Sequence, residues 1–426
     1  MKVYKFDIEF ALNNNFSDDR LRKEIKNAAD EIGLRSFKYS CELDKEVIVP
    51  EYPIIYYTNV LSFEVYDEDI TINQSALPEK IKSLLGILGD IGIIKISSSC
   101  IDEVVIESVA VKEQSGAIPI KVFVTGVAGK LGHDVIIELA KRGYHGIGSD
   151  IAPKYKGIMD DRAITSMPYV GLDITDSSAV ERVLTELRPD VVIHCAAWNA
   201  VDAAEKEENI TTVRDTNATA TRSIADVCKK IDAKMVYLST DYVFSGEGYG
   251  LWPADNDIFD PQNVYGKTKL EGEQAVTSIL EKYFIVRTSW MFGINGDNFV
   301  KTMMAIGKRH GEIHVVNDQI GTPTYTFDLA RLLVDMIETE KYGIYNATNE
   351  GGYVSWYDFT VEILRQAGID ATVIPVSTEE YRLSKAKRPL NSRLDKSKLV
   401  KAGFDLLPTW QDALSRYMNK MEAGGG

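Results

Sequence analysis

Tyr265-Gly266-Lys267-Thr268-Lys269 sets a phenol and an ammonium four residues apart at the start of a stretch, 264–275, whose pattern reads as a helix. Four residues is about one helical turn, so both side chains share a face. A phenol, with an ordinary pKa of about 10, can protonate a ketone oxygen as hydride reaches carbon if a nearby cation stabilises the phenolate. The lysine can also hold the ribose that carries a nicotinamide. Upstream, residues 238–244 (LSTDYVF) end a β-rich run with the hydroxyls of Ser239 and Thr240, where they can reach such an oxygen. Taken alone, Y-x-x-x-K reads equally as an exposed tyrosine beside a solvated lysine. What decides between the two is the rest of the chain.

A second chemical signal is the glycine pattern Gly126-x-x-Gly129-x-x-Gly132 in 120–132, IKVFVTGVAGKLG. Glycines here permit a tight turn, close approach of backbone N–H groups to a pyrophosphate, and close packing of helix on strand. The helix that follows presents its positive end to the anion. The pattern lies between an apolar strand and a helix, the context it requires. Asp150 ends the next strand and can bind both ribose hydroxyls of NADH while repelling the 2′-phosphate of NADPH. Lys154, Lys156 and Arg162 follow and soften that exclusion, so NADH and NADPH both stay open. Asp173 and Ile174 are placed to meet the adenine. Ala196 and Ala197 end the fourth strand where the dinucleotide would cross. Asp173 alone also reads, less strongly, as a helix cap, and the alanines as small-residue packing.

These groups need a scaffold. From residue 120 on, strand-like runs at 120–125, 145–150, 191–196, 234–239 and 283–288 alternate with helical stretches, including 131–142, 179–187 and 217–231. That alternation predicts a Rossmann-type doubly wound parallel sheet with helices on both faces. Beyond about 290 the order is less regular and suits a smaller C-terminal, substrate-facing lobe. Residues 1–118 read differently. Strands at 3–12, 35–43, 61–66, 93–99 and 104–111, with helices at 18–32 and 77–88, suggest a small α+β domain, of ferredoxin-like order, with no catalytic constellation. Residues 112–119 (KEQSGAIP) read as the linker, giving domains 1–118 and 119–426.

Composition sets outer bounds. The 426 residues suffice for two or three domains of about 100–200 residues each. With 63 acidic against 48 basic residues the formal charge is −15, which disfavours generic binding to nucleic acid or acidic membranes. The four cysteines form no CxxC pair, and the five histidines no metal-binding spacing. No signal peptide or apolar run of about 18 residues is read, so the expectation is a cytoplasmic protein without a membrane span.

Taken together, the motifs resemble the extended short-chain dehydrogenase/reductase family, and within it the dTDP-4-dehydrorhamnose reductase branch. The matching stretches are TGVAGKLG (125–132), RPDVVIHCAAWNAVDAAE (188–205), STDYVF (239–244), VYGKTKLEGE (264–273), RTSWMFG (287–293), NDQIGTPTY (317–325) and RPLNSRL (388–394). They cover roughly 120–420; residues 1–118 have no counterpart. The resemblance implies NAD(P)H-dependent reduction of the C4 ketone of dTDP-4-dehydro-L-rhamnose. It implies Tyr265 as proton donor, Lys269 as its support, and Thr240 hydrogen-bonded to the reacting oxygen. Asp241, Trp290, Arg388 and Asn391 would contact substrate, although Trp290 alone also reads as core. Gly129, Lys130, Leu131, Ala197, Trp198 and Asn199 would line the dinucleotide. Some members hold Mg²⁺ with carboxylates at a homodimer contact, and Asp134 stands at the first such position. No full ligand set can be placed, so no metal is expected. The competing expectations are a non-catalytic regulatory subunit of this fold, or a reductase or epimerase of another nucleotide-sugar.

Overall fold

A computed structural model describes residues 3–11, 37–48, 55–66, 92–100, 120–381 and 385–424. The chain divides into two compact units, Met1–Ile118 and Pro119–Gly426. In the first, β1 (Val3–Ala11), β2 (Phe37–Ile48), β3 (Ile55–Tyr66) and β4 (Gly92–Cys100) pair antiparallel in the order β2-β3-β1-β4. The helices expected at 18–32 and 77–88, the strand at 104–111 and the linker at 112–119 lie outside the described residues.

The second unit begins with β5 (Lys121–Thr125), α1 (Lys130–Lys141), β6 (His145–Asp150) and β7 (Tyr169–Gly171). It continues through α2 (Ser177–Leu187), β8 (Val191–His194), α3 (Ala220–Ile231) and β9 (Lys234–Thr240). Next come α4 (Val264–Ile279), β10 (Tyr283–Thr288), α5 (Phe299–His310), α6 (Thr326–Ile337) and β11 (Gly343–Asn346). The seven strands form one parallel sheet in the order β11-β10-β9-β8-β5-β6-β7. The strand order reverses between β5 and β8, and ligands of such sheets bind at the carboxyl ends of strands at that crevice.

Alternation along the strands builds two cores. Val122 and Val124 of β5 face α1 and α6, with Val135, Leu139, Leu333 and Met336, while Phe123 faces α2 and α3 with Val180, Leu184 and Ile224. The expected strands and helices of this unit are present with small shifts of their ends. The chain after 290 does more than build a lobe: it returns to supply α6 and the edge strand β11. A third core, around Phe292, Phe359, Trp410 and Tyr417, belongs to the lobe made by α5, α7 (Trp356–Gln366) and α8 (Trp410–Gly424).

Candidate active site

The glycine turn lies at the crevice between β5 and β8. Gly126 has φ +71°, and a Cβ built on it would stand 2.6 Å from the Ala196 backbone nitrogen; one on Gly132 would stand 2.4 Å from the Gly126 carbonyl oxygen. Only glycine fits either place. The turn is held by Gly129 N–H donating to Gly126 O at 3.0 Å. Lys130, Leu131 and Gly132 form the first turn of α1, whose N–H groups have no partner within the helix. Backbone donors at a helix N-terminus, with side-chain volume excluded, fit a dinucleotide pyrophosphate.

Asp150 is in place at the end of β6. Its Oδ2 accepts from Ala128 N–H at 3.0 Å and its Oδ1 from Ile151 N–H at 2.9 Å. This carboxylate therefore braces the glycine turn. Asp173 is exposed and accepts from the backbone N–H and hydroxyl of Thr175; the cap of α2 is Asp176, and Ile174 is buried beside it. Ala196 and Ala197 lie just past β8, half-buried, with Trp198, while Asn199 is exposed.

Asn217 had no signal in the spacing of motifs, yet it fixes this segment. Its Oδ1 accepts from Trp198 N–H at 2.8 Å, and its Nδ2 donates to Trp198 O at 3.1 Å and to the Thr268 hydroxyl at 3.2 Å. It sits on a π-helical turn, Asp215–Thr219, a widening that often marks a functional position and that a 3.6-residue pattern does not reveal. Below it, the Thr125 hydroxyl accepts from Ala196 N–H and lies 2.8 Å from His194 Nδ1, whose Nε2 is 3.2 Å from Thr221. Burial pushes His194 down to about 3, and the lysine charge at 269 acts the same way, so the imidazole is a neutral strut.

The end of the crevice that carries the expected catalytic residues is built from β9 and α4. Asn263 caps α4 through Gly266 N–H at 2.8 Å, and Glu205 accepts from Val264 N–H at 2.7 Å. Tyr265 and Lys269 follow one turn apart. The Thr240 hydroxyl lies beside the Tyr265 phenol while donating to Asp241 at 3.0 Å, and the Tyr242 ring meets the phenol edge-on at 5.5 Å. Burial raises Tyr265 to about 12, against the pull of Thr240, so the resting phenol carries its proton. Burial lowers Lys269 to about 7, opposed by Glu273 and Cys195; its Nζ sits 4.1 Å over the Tyr237 ring. Asp241 is buried, receives hydrogen bonds from Thr240 and Ser392, and is raised by burial to about 6.

The other expected substrate residues fall in different settings. Trp290 adopts φ +50°, uncommon for a bulky residue, and stacks on Trp356 at 3.7 Å and 13°. Trp356 had a usable sequence signal: Ser355 and Asp358 form a capping box that starts α7 there. Arg388 pairs with Asp202 at 2.6 Å, and Asp202 also accepts from Lys385 and Ala386 N–H. Both line a cleft of about 910 Å³ with Phe299, Met303, Trp356 and Lys387. Asn391 is 1% exposed and staples loops together: its Nδ2 donates to Gly250 O at 2.8 Å and its Oδ1 accepts from Arg393 at 2.9 Å. Its side chain faces those loops.

Asp134 is a poor fit for a divalent cation. It is 2% exposed, accepts from Thr326 at 2.5 Å, and burial raises it to about 7. The neighbouring Asp328 is taken in a bidentate pair by Arg416 at 2.8 and 2.7 Å. Among the described residues no group of three or more His, Cys, Asp or Glu is placed to hold a metal.

The family model described as the RmlD substrate binding domain matches residues 120–423. The spore coat polysaccharide biosynthesis protein SpsK of Bacillus subtilis is 35% identical over 301 residues, covering 70% of this chain and 97% of that protein. The crystal structure of a dTDP-4-dehydrorhamnose reductase from Clostridium acetobutylicum is 40% identical with a TM-score of 0.64, covering 71% of this chain and all of the other. The enzyme of the same name from Bacillus anthracis, in complex with NADP, is 38% identical at the same TM-score and coverage. The family match and the relatives agree: the chain belongs to the RmlD family, the dTDP-4-dehydrorhamnose reductase branch of the extended short-chain dehydrogenases/reductases.

Proposed function

We propose that the protein reduces the C4 ketone of dTDP-4-dehydro-L-rhamnose to dTDP-L-rhamnose with NADPH or NADH. The observation that carries this is the placing of Tyr265 beside Thr240 at the glycine crevice, on a chain 71% of which matches the whole length of reductases of that name. The dinucleotide would lie on Gly126, Gly129, Lys130, Leu131 and Gly132, with Asp150, Asp173 and Ile174 towards its adenosine and Ala196–Asn199 along its length. When bound it supplies the hydride. Tyr265 gives its phenolic proton to the ketone oxygen, which Thr240 also holds. Lys269 in its ammonium form offsets the charge of the phenolate that this leaves.

The aromatic wall of Trp356 and Phe299 and the basic segment Lys385–Arg388 suit the cleft to a nucleoside diphosphate, with Trp290 and Asp241 towards the sugar. Arg388 acts there as part of the Asp202 pair, and Asn391 through the loop it staples. Cytoplasmic location and homodimeric assembly belong to the same reading. Free Cys195 and Cys228 suit a reducing compartment, and light scattering tests the dimer. No helix among the described residues is long and apolar enough to cross a membrane. The deciding assay supplies dTDP-4-dehydro-L-rhamnose with each dinucleotide and follows nicotinamide absorbance. Folded protein that binds dinucleotide but oxidises neither form would reject the assignment.

A further inference from the structure

The glycine turn is gripped from a direction that the dinucleotide motif does not include. Asn295 lies in the segment between Phe292 and α5, 2% exposed. Its Nδ2 donates to Ala128 O at 2.9 Å and Gly129 O at 3.2 Å, and its Oδ1 accepts from Ile158 N–H at 3.1 Å. The bonding is reciprocal, because Lys130 reaches back from α1 to donate to Asp297 O at 2.9 Å. The segment is itself rigid: Lys301 donates to Ile294 O at 2.6 Å and Gly296 O at 2.8 Å, and Asn298 donates to Gly293 O at 2.8 Å.

A peptide unit is planar, with C=O and N–H pointing opposite ways. Fixing the Gly129 carbonyl therefore fixes the Lys130 N–H, which begins the free donor set of α1. Fixing the Ala128 carbonyl sets the peptide before it, whose Gly129 N–H closes the turn onto Gly126. Asp150 holds the opposite edge through Ala128 N–H. The turn is thus clamped on both sides before any anion arrives, and a preorganised donor set binds without the cost of ordering itself.

We propose that Asn295 is a positioning residue for the dinucleotide: from the segment leading into the substrate lobe, it aims the first N–H groups of α1 at the pyrophosphate. The proposal rests on dinucleotide binding at the glycine turn. Asn295→Asp keeps size and the acceptor for Ile158, while its ionised carboxylate can donate to neither carbonyl. Asn295→Ala removes both donated bonds without adding charge.

In the full chain, the dissociation constants of NADPH and NADH are measured by quenching of protein fluorescence, alongside kcat at saturating substrates and the melting temperature. Both variants should bind each dinucleotide about tenfold more weakly, the scale of losing one or two buried hydrogen bonds. Saturated kcat should stay within about twofold, and the Michaelis constant for the sugar nucleotide should be unchanged. Wild-type affinity in either variant overturns the proposal. So does a parallel fall of affinity, kcat and melting temperature, which would make Asn295 a general structural hub. A wild-type chain that binds neither dinucleotide would instead refute the cofactor assignment itself.

Discussion

Glu273 and Arg287 meet as a bidentate ion pair, Nε to Oε1 at 2.8 Å and Nη2 to Oε2 at 2.6 Å, with Arg287 wholly shielded from water. Ser239 donates to the same Oε1 at 2.5 Å, and Arg287 also donates to Ala254 O at 3.1 Å. Glu273 stands one turn after Lys269, so this pair bolts the helix bearing Tyr265 to the sheet beneath it. A buried pair need not add net stability, but removing one partner strands a charge.

Glu273→Gln is therefore expected to lower unfolding free energy by about 3–5 kcal/mol, read from urea denaturation. A loss well under 1 kcal/mol would mean that water reaches the guanidinium once its partner is gone.

Tyr265→Phe removes the proton but keeps the ring against Tyr242. The expected fall in kcat is about 10²–10⁴-fold, the usual contribution of a positioned acid, with dinucleotide affinity within about twofold. Thr240→Val, which removes the hydroxyl beside the phenol but leaves the phenol its proton, should lower kcat less. Steady-state kinetics with direct dinucleotide titration separates these outcomes; an equal loss of turnover and binding in Tyr265→Phe would make the tyrosine structural.

Asp134 should leave a mark on stability against pH. Its folded pKa is raised by burial to about 7 from 3.8, so the folded chain holds a proton that the unfolded chain has released. The contribution is intact below about pH 4 and lost as pH rises to about 7, on the order of 4 kcal/mol at 1.36 per unit. Asp134→Asn keeps an acceptor for Thr326 and should flatten this decline. It should melt higher than wild type at pH 8 and about equal to it at pH 4. Parallel curves for the two proteins between pH 4 and 8 would count against the assignment.

Gly321 is the space into which the Trp290 indole fits, since a Cβ there would come within 2.9 Å of the ring. Gly321→Ala should push Trp290 against its stack with Trp356 and raise the Michaelis constant for the sugar nucleotide by about tenfold, of the order expected when a packed contact worth 1–3 kcal/mol is overfilled. Dinucleotide affinity should be unaffected. An unchanged Michaelis constant would place Trp290 outside the substrate path.

The seven-stranded unit was legible in the sequence wherever local pattern and chemistry coincide. β5 with its glycines, β9 ending in Ser239 and Thr240, and α4 opening on Tyr265 each carry their signal within about ten residues. What escaped depends on distance in sequence. β11 is short and unremarkable alone; it becomes a strand because β10 offers an edge. Asn217 needs a π-helical turn that no helical periodicity shows. Asn295 is a polar residue in a loop, and its importance lies in carbonyls far upstream. Asn391 and Arg388 carried a motif-level signal, but the partners that occupy them, Gly250 and Asp202, cannot be read from their own neighbourhood.

The return of the chain to the sheet at α6 and β11 governs how the protein can be made. A ribosome delivers the dinucleotide crevice early, yet the face of β5 that packs on Leu329, Leu333 and Met336 stays uncovered until those residues emerge. The nascent chain must therefore carry an exposed apolar sheet face through much of its synthesis, a state that invites chaperones and proteases. A chain ending at residue 325 should be cleaved rapidly by a protease that spares the full-length protein, although it contains every residue assigned here to the hydride-transfer step.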